Sequence, residues 1–199
     1  VDDIRFILQN FFHAQRARMI DIYPRYAELR AKRGSGNSPA EIDAASRRFS
    51  IADLRDLQVW QKLAWIDPYY LEGDDRIRAL LSKGQAFSEE DKATLRIVEL
   101  QLLNAVIPAY RRLAGTGQVE IATSPFYHPI LPLLCDTDIY KQTHPHSRMP
   151  RHRFIHPEDA REQLDRAAAC HERLFGRRPV GLWPSEGSVS DQVVALASA

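Results

Sequence analysis

Residues 181–190 read Gly-Leu-Trp-Pro-Ser-Glu-Gly-Ser-Val-Ser, and Glu186 is the carboxylate whose setting there suits chemistry. A short apolar run, residues 180–183, follows the Arg178-Pro179 break. The acid then sits in a turn of small residues before a helical pattern opens at Ser188. In α/β architectures the turn at the carboxyl end of a strand is where catalytic groups collect, which gives Glu186 a functional reading beyond solvation. The plainer reading is a carboxylate near a helix start that complements the helix dipole, worth about 0.3–1 kcal/mol.

A second stretch bears on the same turn. Residues 118–123, Gln-Val-Glu-Ile-Ala-Thr, alternate and are rich in β-branched types, the pattern of a strand, and Ser124-Pro125 closes it. Phe126-Tyr127-His128-Pro129 and the prolines around it predict a fixed apolar loop or a broken helical turn, not a continuous helix. A helix follows, opening at His156-Pro157 with Glu158 and Asp159 in its first turn, carrying Leu164, Ala167, Ala168, His171 and Leu174 inward, and ending at Gly176. Residues 116–199 therefore read as a β-loop-α-β unit with parallel strands, whose post-strand turns open on one rim. Glu120, His128, Trp183 and Glu186 are expected to meet there.

Other chemistry-bearing residues fit weaker patterns. His144, His146 and His152 invite a zinc site, but a closed site needs convergent ligands, and this Pro-rich segment has no Cys or acid at supporting spacing. We read a polar loop. Cys135 and Cys170 match no metal or redox spacing and read as reduced core thiols. Asp136 and Asp138 read as structural.

The elements that must position the candidate residues begin with a helical layer over about residues 1–115. Apolar spacing predicts a helix from about Asp2 to Ile22, another from Pro24 to about Lys32, and a third capped by Ser38 with Pro39 at its first position. Ser50 and Asp53 form a variant capping box ahead of a helix so rich in apolar groups, Leu54 through Ile66, that it belongs at the centre of a cluster. A short helix over about 75–82 stops at Lys83-Gly84. A long one opens at Ser88, sends Leu95, Val98, Leu102, Val106 and Tyr110 toward the core, and is kinked or divided by Pro108.

Twenty-seven Lys+Arg against 26 Asp+Glu leave a formal charge of +1, which calls for no polyanionic partner and no nucleic acid. No apolar run reaches membrane-span length and no signal peptide opens the chain, so the expected location is cytoplasmic, without a membrane partner. The first residues lack an initiating Met and the last pattern stops mid-helix, so the chain reads as a fragment of a longer protein. An incomplete sheet would leave an apolar edge suited to self-association.

Three segments together resemble the conserved regions of glycoside hydrolase family 57: Gly117-Gln118-Val119-Glu120-Ile121, residues 124–134 from Ser-Pro-Phe-Tyr-His-Pro onward, and residues 181–190. The helical part is similar to the helical insertion of amylase-like members. The resemblance implies a fragment of an incomplete (β/α)7 barrel and retaining cleavage or transfer of α-glucan linkages, with no metal or organic cofactor. By its motif Glu186 is the nucleophile, Trp183 a sugar-stacking residue, and Glu120 and His128 part of the sugar pocket. The general acid lies outside the chain, so these residues alone are expected to be inactive. The alternative is a non-catalytic helical carbohydrate-binding or protein-interaction module. A zinc-dependent deacetylase on a related barrel ranks last.

Overall fold

The computed structural model describes residues 2–198, which form two units that divide between Leu103 and Asn104. Helix starts in the first unit sit where side chains accept the otherwise unpaired N–H groups of a first turn. Ser38 caps α3 (Pro39–Ser46) and Ser50 caps α4 (Ile51–Leu63), each in a reciprocal capping box with Glu41 and Asp53. Pro24 opens α2 (Pro24–Arg33), and Gly84 stops α6 (Asp75–Lys83) in the left-handed region. A short α5 (Pro68–Gly73), capped by Asp67, stands where only a break after Asp67-Pro68 is expected. The long α7 (Glu89–Gly115) runs through Pro108 without division.

The first helix is shorter than its periodicity predicts. α1 (Asp2–Asn10) ends before Phe11, and the chain resumes as a π-helical turn over Arg16–Ile20. Two side chains of α2 explain the stop: Arg33 Nε donates to Leu8 O at 3.0 Å and the Tyr26 hydroxyl donates to Phe11 O. Carbonyls that would have continued the helical ladder are satisfied by a neighbour instead.

α4 lies at the centre of the first unit's core, where Leu57, Val59, Trp60 and Leu63 pack with Leu8, Tyr26, Leu29, Ile77, Leu95 and Val98. Each such fully buried side chain contributes about 1.5–3 kcal/mol. The apolar patterning overreaches at Ile22 and Trp65, which are exposed, and along α7, where Val106 and Tyr110 are exposed and not core.

The second unit corrects the expected fold class. Among the described residues there is no β-loop-α-β unit and no partial-barrel sheet; a single isolated parallel bridge joins Thr123 and Leu182. Thr123 N donates to Gly181 O at 3.0 Å and Trp183 N to Thr123 O at 2.7 Å. The physical reason is strand length. Pro179 and Pro184 bracket residues 180–183, Pro125 closes the other segment, and a two-stranded pair this short has no third strand to hold it. The apolar sheet edge expected to drive self-association goes with the sheet. The unit's other regular elements are helical: α8 (Leu131–Cys135), a 3-10 turn over Thr137–Ile139, α9 (Tyr140–Thr143), α10 (Pro157–Phe175) and α11 (Asp191–Ala197). Its small core is Leu131, Cys135, Ala160 and Val193, with Leu134, Leu164 and Leu196 against them. Cys170 is only half-buried, and both thiols are free.

Candidate functional site

The bridge between Thr123 and Leu182 aligns two chain segments in parallel, so the turns that follow them leave at the same end. One turn carries His128 and the other Glu186. His128 Nε2 stands 3.4 Å from Glu186 Oε1, an ion pair whenever the imidazole is protonated. Both residues are held in the left-handed region, His128 at φ 57° and Glu186 at φ 54°. Only Ala86 shares that conformation among the other described non-glycine residues. A side chain there costs on the order of 1–3 kcal/mol, so two such residues in contact mark a place the rest of the unit over-determines.

Local sequence explains the Glu186 turn. Pro184 sets an extended entry, Ser185–Gly187 makes one 3-10 turn, and Gly187 follows at φ 69°, where a Cβ would add further strain. Gly187 N donates to Pro184 O and Ser188 N to Ser185 O, each at 3.0 Å. Ser185 is 1 % exposed, and its hydroxyl has no hydrogen-bond partner among the described residues. Glu186 does not cap the next helix, because the Ser190 side chain accepts from Val193 N at the start of α11. The Glu186 carboxylate is 72 % exposed instead, and Trp183 is 69 % exposed.

The His128 turn is held by a residue with no signal in the sequence. Gln163 of α10 accepts Tyr127 N at its side-chain oxygen, 2.8 Å away, and Phe126 N at its carbonyl, 3.3 Å away. Phe126 and Tyr127 pack edge to face beside it. His171 is a second anchor, and its place on the inward stripe of α10 is a signal that sequence offers. It is buried, with Nδ1 at 2.8 Å from Arg177 O and Nε2 at 3.1 Å from Ile121 O. The ring thereby ties the helix to both segments that form the bridge.

Of the four expected site residues, His128 and Glu186 touch. Trp183 lies in the bridge itself and presents its exposed indole three residues before Glu186. Glu120 reaches the Gly181 backbone, its Oε1 4.0 Å from where a Cβ at that glycine would stand. It makes no side-chain hydrogen bond or salt bridge among the described residues. Asp136 is clamped by Arg153, which donates from Nε at 2.8 Å and also from its terminal nitrogen. That pairing holds the Asp136 carboxyl down at about 2. Asp138 pairs with Lys141 at 3.1 Å and Arg153 at 3.4 Å. Among the described residues no group of three His, Cys, Asp or Glu is placed to hold a metal ion, and no described helix is long and apolar enough to cross a membrane.

A carboxylate and an imidazole thus meet on one rim, and an exposed indole precedes the carboxylate by three residues. Residues 14–199 match the family model described as Glycosyl hydrolase family 57, and the chain belongs to that family. Its chemistry is that of a glycoside hydrolase, and its substrate class is carbohydrate. No curated protein and no solved structure matches the chain.

Proposed function

We propose that the chain carries the nucleophile-bearing part of a retaining glycoside hydrolase or transglycosylase acting on α-linked glucans. The observation that carries this reading is the contact between Glu186 and His128 with both backbones held at positive φ. In the proposed reaction the Glu186 carboxylate attacks the anomeric carbon and forms a glycosyl ester, and water or an acceptor hydroxyl later displaces it. His128 orients the attacking carboxylate, Trp183 offers its indole to a sugar face, and Glu120 accepts hydrogen bonds from sugar hydroxyls.

Retention also needs a second carboxyl about 5–5.5 Å away that protonates the leaving oxygen, with a pKa raised toward the working pH. Asp136 has the opposite tuning, and Asp138 is tied into the same basic cluster. We therefore propose that the acid comes from other residues of the protein and that residues 1–199 alone turn over no glucan. The test is wild type against Glu186→Gln in the whole protein, assayed on soluble starch and glycogen with folding followed by circular dichroism. Loss of at least about 1,000-fold in turnover with an intact fold is expected. Equal activity of the two proteins would remove Glu186 from the mechanism. Glucan hydrolysis by residues 1–199 alone would show that a resident carboxyl serves as the acid.

A further inference from the structure

A cleft of about 650 Å³ opens beside the Glu186 turn, between residues 130–144 and residues 188–192. The lining begins two residues after His128 on one side and two residues after Glu186 on the other. Its volume falls in the usual range for small-molecule sites. One wall is an ordered stack: the Tyr140 and His144 rings lie 4.3 Å apart with planes 4° from parallel. Thr143 Oγ1, 2.8 Å from His144 Nδ1, sets the imidazole. Val189 and Gln192 stand on the other wall, and Gln142 extends the first.

The chemistry of the lining narrows the occupant. Asp191 is the one carboxylate of the lining and no lysine or arginine joins it among the described residues, which argues against a phosphate or another polyanion and leaves an acceptor for hydroxyl donors. The Gln142 and Gln192 amides make no side-chain hydrogen bond among the described residues, and each offers a donor pair and an acceptor. A pyranose matches this set, because it presents an apolar C–H face to a ring wall and a rim of hydroxyls that both donate and accept. We propose that the cleft is a sugar subsite, holding a pyranose unit of the glycan one or more residues away from the bond at Glu186. The subsite stands on its own lining, and only its place relative to the reacting bond rests on the function proposed for Glu186.

The test is a nitrogen-15 NMR titration of the 199-residue chain with maltohexaose. The Gln142 and Gln192 side-chain amides and the Trp183 indole N–H are expected to shift together. Tyr140→Ala should weaken binding about tenfold and Gln192→Ala by about threefold. If saturating maltohexaose moves the Trp183 signal but neither glutamine amide, and both variants bind as wild type does, the subsite is wrong while the Glu186 reading survives. Shifts at the two glutamines without one at Trp183 support the cleft and detach it from Glu186. No shift at any of these groups overturns both. The wild-type titration decides the matter even where a variant fails to fold.

Discussion

At the residue scale, Glu186 sets backbone comfort against chemistry. Its φ of 54° suits glycine, so Glu186→Gly should raise stability by about 1 kcal/mol while eliminating any turnover by the whole protein. Glu186→Val, β-branched, should lower stability by at least as much. Urea midpoints of the two variants measure this, and equal midpoints would mean the turn carries no strain. His128 offers a complementary change. Asn tolerates the left-handed region, so His128→Asn should leave the midpoint within about 0.5 kcal/mol of wild type and lower glucan turnover by at least about tenfold. The identity of Glu186 as a candidate was legible from its small-residue turn, and that of His128 from the loop after residues 118–123. Their conformations were not, because a positive φ on a non-glycine residue follows from what surrounds the turn.

At the element scale, the capping boxes were legible because Ser and an acid three residues on satisfy local donors with local acceptors. Asp53 does more than cap. Its carboxylate also takes Arg25 at 2.7 Å and Lys32 at 2.8 Å, and Arg25 reaches Asp56 at 2.8 Å, which joins α2 to α4. Burial alone would raise the Asp53 carboxyl, but hydrogen bonds from Lys32, Ser50 and Arg25 outweigh it and hold the group far below the carboxylate range. Removing the carboxylate leaves Lys32 without its acidic partner, takes one of three carboxylates from the half-buried Arg25, which keeps Asp56 and Glu28, and breaks the capping box. Asp53→Ala should therefore cost about 3 kcal/mol, against about 1 kcal/mol for the cap-only change Ser38→Ala. Equal losses in chemical denaturation would reduce the network to a cap. In the second unit His171→Phe keeps the volume but leaves Ile121 O and Arg177 O without their ring partner, for an expected cost of about 1–3 kcal/mol.

At the scale of the whole molecule, charge sets the limits of pH stability. Hydrogen bonds from Arg76 hold Asp74 at about 2, and Arg153 holds Asp136 at about 2, both below the ordinary 3.8. The unfolded chain binds more protons than the native one in that window. Their contribution is thus complete above about pH 4 and is lost as pH falls toward 2. At the other limit burial pushes the Tyr26 phenol up from 10.0 to about 12, so its contribution is present below about pH 10 and is lost as pH rises toward 12. A stability curve flat between these windows and falling in both is expected, and a loss centred near neutral pH would contradict it. By itself the sequence determined most helix starts, the glycine stops and the motif that leads to Glu186, since these depend on neighbours within a few positions. Tertiary structure decided where α1 ends, through Arg33 and Tyr26. It also reduced two strand-like segments to one bridge, because a strand's hydrogen bonds must come from partners that local pattern cannot supply.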